Sequence, residues 1–108
     1  MFSPRENDLK SLALHQLIVR KIEGDPVLFE CVRQKLDSWR NESEWFRRPY
    51  LGKWVTALNE GVDVVLALAI EDSERGQVLR QASPFAGILS EAERTEFLIS
   101  WSRRHKPE

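Results

Sequence analysis

Apolar positions recur every three or four residues along most of the chain, the spacing of helices that bury one stripe. Leu9, Leu12, Leu14, Leu17, Ile18 and Ile22 form the first such run. Before it, Ser3-Pro4-Arg5-Glu6 reads as an N-cap, a proline at the first helical position and a capping-box glutamate. Behind it, Gly24 suits a left-handed helix end. Asp25-Pro26 opens a second run in the same way, carried by Leu28, Val32, Leu36 and Trp39. The tight turn between the two predicts an antiparallel helical hairpin. Asn41 to Arg48 is polar and charged apart from Trp45 and Phe46, and reads as a connection.

Pro49 suits the first turn of a third helix, with Tyr50, Leu51, Trp54, Val55 and Leu58 as its buried face, and Gly61 interrupts that helix. Val62 to Ile70 is the most apolar stretch. Its β-branched start also fits a buried strand, but a lone strand would have nothing to pair with. The Ala and Leu that follow favour a central helix. Ser73 can cap a short helix holding Val78, Leu79 and Arg80, and Ser83-Pro84 resets the backbone. Phe85 to Leu89 then makes a compact apolar turn. Ser90-Glu91-Ala92-Glu93 is a second capping box, leading into a last helix with Phe97, Leu98 and Trp101 inward. Arg103-Arg104-His105-Lys106 places positive charge at its C-terminus, where the macrodipole favours it. The order of elements predicts an all-α fold: one domain over residues 1–108, a compact bundle of five or six helices beginning with the antiparallel hairpin.

Composition changes this picture little. Hydrophobic residues at 42% and charged residues at 31% are ordinary for a globular chain, not a disordered one. Sixteen Lys and Arg against 17 Asp and Glu leave a net charge of -1, so a nucleic acid or anionic lipid would need a local basic patch. The single Cys31 excludes an intrachain disulfide and fits a reducing compartment. With no long apolar run and no apolar leader after Met1, a cytoplasmic location is expected.

Candidate chemistry is sparse. His15, Cys31 and His105 are the only imidazole or thiol ligands and show no metal-binding spacing, so no metal is expected. The glycines form no phosphate-binding loop, and no cofactor is expected. Cys31 reads as a small buried thiol and His15 as a surface or boundary residue; a Cys–His enzyme is the remotest alternative. Trp45-Phe46-Arg47-Arg48 mixes aromatic and basic side chains, and with the basic tail it keeps a DNA-binding regulator as the nearer alternative. Glu91 and Glu93 at the start of the last helix would repel DNA. Around Pro84 and Gly87, small and apolar residues suit either a packed corner or a docking surface with Phe85 as anchor and Arg80 at its rim.

Leu79-Arg80-Gln81-Ala82-Ser83-Pro84-Phe85-Ala86-Gly87-Ile88-Leu89, followed by Glu91 to Arg94, resembles an uncharacterised family of short bacterial all-helical proteins sharing an LRQ-x-SPFAG-x-L segment. Leu14-His15, Asp25-Pro26, Trp39-Arg40, Trp54 and Leu58 extend the likeness over most of the chain. The resemblance implies an antitoxin-like or accessory protein, encoded beside a small toxin or nucleotidyltransferase-like gene, and supplies no catalytic residues. The expected function is therefore a non-enzymatic protein-binding module that neutralises a partner toxin. Its expected contact residues are Trp45, Phe46, Arg47, Arg48, Arg80, Phe85 and Trp101.

Overall fold

A computed structural model describes residues 4–48 and 50–104 of the chain. Six α-helices occur among them: α1 (Pro4–Gly24), α2 (Phe29–Arg40), α3 (Leu51–Glu60), α4 (Val62–Ala69), α5 (Glu74–Gln81) and α6 (Glu91–Arg104). Single 3-10 turns sit at Pro26–Leu28 and Trp45–Arg47. The chain is an all-α bundle, as its apolar spacing predicts. Ser3, Pro49, His105 and Lys106, each given a role from sequence, lie outside the described residues.

Helix α1 buries Leu12, His15, Ile18, Val19 and Ile22 on one face, while Leu9 stays exposed. Gly24 does not close it in the left-handed conformation. The amide of Asp25 instead reaches back to the carbonyls of Lys21 and Ile22 at 3.0 and 3.1 Å, and the chain tightens directly into the 3-10 turn. Asp25 provides no side-chain cap there. Helix α2 buries Phe29, Val32 and Leu36, and packs along α3.

Tyr50 corrects a second expectation. It precedes α3 with φ 63° and ψ 6°, in the left-handed region, and points its ring outward at 44% exposure instead of into the core. Leu51, Trp54 and Ala57 form the buried face of α3. Gly61, at φ 140°, turns the chain sharply into α4, a conformation closed to side-chain-bearing residues. Helix α4 is the predicted central helix: it lies against α1, α3 and α5 and buries Val65, Leu66 and Ala69. Ser73 caps α5 as expected, its hydroxyl accepting from the Gly76 amide at 3.0 Å. Ser90 and Glu93 form the reciprocal capping box of α6, at 3.1 and 2.9 Å.

Helix α6 has the sparsest backbone approach to the other helices. Phe97 anchors it and Trp101 is half-buried, but Leu98 is 40% exposed and does not face inward as its position suggested. The molecule is elongated, 46 × 28 × 22 Å. Its accessible surface is 7447 Å², against about 6,200 Å² for a typical monomer of this mass.

Candidate functional site

Two regions hold the candidate residues other than Trp101, and they differ in kind. The first is the corner between α5 and α6, which carries the distinctive LRQ-x-SPFAG-x-L segment. Phe85 is 1% exposed, wedged edge-on between the Trp54 ring (5.8 Å between centroids) and the His15 ring (5.9 Å). Trp54 in turn donates its indole N–H to the Leu79 carbonyl at 3.3 Å. Arg80 is 4% exposed: its Nη1 donates to the Glu71 and Ala69 carbonyls at 2.8 and 3.4 Å, and its Nη2 to Asp8 Oδ1 at 3.3 Å. Those carbonyls close the C-terminal end of α4, where a cation is favoured. Arg80 and Phe85 are therefore core residues, not the rim and anchor of a docking surface. The packed-corner alternative holds.

His15 is likewise corrected from the surface to the interior, at 5% exposure. A carbonyl can only accept, so the 2.7 Å contact with the Ser11 carbonyl puts the proton on Nδ1. Nε2 then accepts from the Ser83 hydroxyl at 2.8 Å. A hydroxyl on an imidazole whose far nitrogen is oriented is the start of a nucleophilic pair. Here, however, Ser83 Oγ also accepts the Phe85 amide at 3.2 Å, and the imidazole lies beneath side chains of α1 and the corner. The arrangement works as a latch between α1 and the corner. Burial, the larger effect, lowers the His15 pKa, and Arg80 nearby pushes it the same way. Two lysines complete the fastening, Lys21 donating to the Ile88 carbonyl and Lys35 to that of Ala86, each at 2.8 Å.

The second region is the α2–α3 connection, where sequence placed Trp45, Phe46, Arg47 and Arg48 together. Phe46 is 68% exposed and Trp45 42%, with their rings edge to face at 6.4 Å. Tyr50 stands exposed at the other end of the same short segment. The segment is braced: Arg48 gives two hydrogen bonds to the Glu42 carboxylate, at 2.6 and 2.8 Å, and stacks on Trp39 at 4.6 Å. The Arg48 guanidinium holds the Glu42 carboxyl below the usual range. Arg47 projects from the surface with Glu44 at 3.6 Å. Arg48 is thus a brace, while Trp45, Phe46 and Arg47 are presented outward. Sequence missed Tyr50 as a surface aromatic, because its spacing matches the buried stripe of α3.

Trp101 lies away from this loop, stacked beside Phe97 on α6 at 6.1 Å. Cys31 is exposed, not the buried thiol expected of it, and it does not meet His15. Among the described residues no cluster of three or more His, Cys, Asp or Glu is arranged to hold a metal ion. None of the described helices is long and apolar enough to cross a membrane. Compared with family models, curated proteins and solved structures, the chain matches none of them. The functional reading therefore rests on the chain's own geometry.

Proposed function

We propose that the protein is a binding module that docks on another protein through the Trp45-Phe46 loop, without a reacting group of its own. The observation that carries this reading is Phe46, two-thirds exposed beside a second exposed aromatic on a braced segment. Leaving such rings in water forgoes about 1.5–3 kcal/mol of burial each, which a partner pocket recovers. Because Arg48, Glu42 and Trp39 already hold the segment, little ordering entropy is lost on binding. Tyr50 supports the same reading. A bulky residue in the left-handed region costs about 1–3 kcal/mol, and strain of this kind collects at binding sites.

The local charge defines the partner further. Glu42 and Glu44 accompany Arg47 and Arg48, so the loop offers little net attraction to phosphate. That weighs against the DNA-binding alternative and favours an apolar pocket with an acidic group placed for Arg47. A toxin neutralised by occlusion is the partner that the resemblance of the Leu79–Leu89 segment suggests. Arg80 and Phe85 of that segment are core, so the expected toxin contact passes to the loop residues Trp45, Phe46 and Arg47.

The test is capture of a partner from the native host, followed by binding measurements with both proteins purified. Phe46→Ala should weaken the complex at least about tenfold, with thermal unfolding unchanged, as truncation of an anchor residue does. Co-expression of the wild-type chain, and not of Phe46→Ala, should relieve growth arrest by a partner toxin. A captured protein that binds Phe46→Ala as tightly as wild type would refute the docking surface.

A further inference from the structure

Helix α6 turns Phe97 to the bundle and presents its opposite face to solvent. Ile99 lies on that outer face at 49% exposure, with the small residues Thr95 and Ala92 one and two turns before it. Small side chains on the turns before a branched one let a second helix approach closely there. Glu96 and Arg103 border this stripe on one flank, seven residues apart, which is two helical turns or about 10.5 Å. Neither has an ion-pair partner among the described residues. Glu91 near the start and Arg104 at the end follow the same polarity, with Arg94 the exception among the first residues.

The midpoint between Glu96 and Arg103 falls between Ile99 and Ser100, within about 1 Å of Ile99 along the helix. A twofold axis through that point maps each acidic position onto the basic position of the other copy, and sets Ile99 against Ile99. In antiparallel helix pairs the same flanks face one another, so both charge pairs form together. Self-complementarity of one patch is what an isologous dimer requires. We propose that two copies of the chain associate through the outer faces of α6, antiparallel and twofold-symmetric, with Ile99 at the axis and two Glu96–Arg103 pairs beside it. This surface shares no residue with the Trp45-Phe46 loop.

A contact built on one helix from each copy lies below the roughly 1,200 Å² of the smaller specific interfaces. Association is therefore expected at about 10–100 μM, readable by sedimentation of the full chain over a wide concentration range. The wild-type mass should rise from 12.6 kDa toward twice that value. Ile99→Asp should remain monomeric throughout, with its helical signal and unfolding temperature intact because Ile99 is not part of the core. Glu96→Arg and Arg103→Glu each replace both opposite-charge pairs with like-charge pairs, and each alone should weaken self-association about tenfold. Mixed in equal amounts they should form a heterodimer of wild-type affinity, since every pair is again of opposite sign. A wild-type chain that stays monomeric, a dimer untouched by Ile99→Asp, or a charge-swapped mixture that fails to recover would each overturn the proposal.

Discussion

Gly76 shows how tightly a single position is fixed at the α4–α5 junction. A Cβ there would sit 2.0 Å from the Glu71 carbonyl oxygen and 3.1 Å from Arg80 Nη1. That oxygen is the acceptor of the best Arg80 hydrogen bond, so the side chain that Ala adds would push apart the group that closes α4. The obstacle is backbone and cannot rotate away. Gly76→Ala should cost at least about 2 kcal/mol, in the range of overpacking in a filled core. At about 4 °C per kcal/mol for a domain of this size, its melting temperature should fall by about 8 °C or more in a calorimetric scan. A variant that melts with wild type would mean that the junction is slack. His15 makes a second point at this scale, about protons. Its pKa lies below the ordinary 6.5, chiefly because burial disfavours the imidazolium, with Arg80 on α5 adding repulsion. The charged groups nearest the latch are Arg80, the Asp8 carboxylate paired with it, and Arg94 of α6 at the edge of the recess. The unfolded chain thus binds a proton that the folded one resists. Stability from this group is complete above pH 6.5 and is lost as pH falls below it. Denaturation midpoints of wild type minus His15→Gln should therefore decline from about pH 7 to 5; a flat difference would show that the imidazole protonates freely in place.

Helices were the legible level of this sequence, because a helix is written locally. The three-to-four-residue spacing pointed to the longer helices, Ala and Leu content to α4, and the Ser73 and Ser90 caps to the starts of α5 and α6, since capping needs only residues within one turn. What failed depended on residues far away. Arg80 looks like a surface residue until α1 brings Asp8 and the end of α4 brings two carbonyls. His15 looked like a boundary residue until Ser83, 68 positions later, met its ring. Phe85 could have been anchor or core, and only the Trp54 and His15 rings decide it. Of the seven expected contact residues, Trp45, Phe46 and Arg47 are presented outward, while Arg48 braces and Trp101 leans on Phe97. The loop was legible because two adjacent aromatics in a charged connection cannot both follow a helical stripe. Tyr50 was not, because it stands in register with one. Gly24 was misleading for the opposite reason: the following proline ended the helix without the left-handed turn.

The molecule as a whole is two unequal parts sharing one chain. Helices α1 to α5 and the corner interlock through Trp54, Phe85, Leu79 and Arg80, whereas α6 rests on Phe97, Trp101 and one ionic clamp. Lys21 at that clamp donates to Glu93 at 2.5 Å and to the Ile88 carbonyl, and Glu93 also accepts the Ser90 amide. The Lys21 ammonium, above all, holds the Glu93 carboxyl down to about 2, well under the usual 4.5. Elements with few backbone neighbours open locally at lower free energy than the global transition. Amide protection measured by hydrogen exchange should accordingly be weaker in α6 than in α1, α3 and α4 at neutral pH. Acid should widen the gap. A carboxylate with a depressed folded pKa contributes stability that is whole above pH 4.5 and is lost as the pH falls toward 2. Protonating Glu93 removes the charge of the clamp and leaves only a neutral, weaker acceptor for the Ser90 amide, so α6 should lose protection factors ahead of the rest as the pH falls through that window. Glu93→Gln keeps an acceptor for the Ser90 amide but not the charge, and should show the weaker α6 at neutral pH with no further acid step. Protection in α6 that tracks α3 and α4 at every pH would mean instead that the last helix and the bundle unfold as one unit.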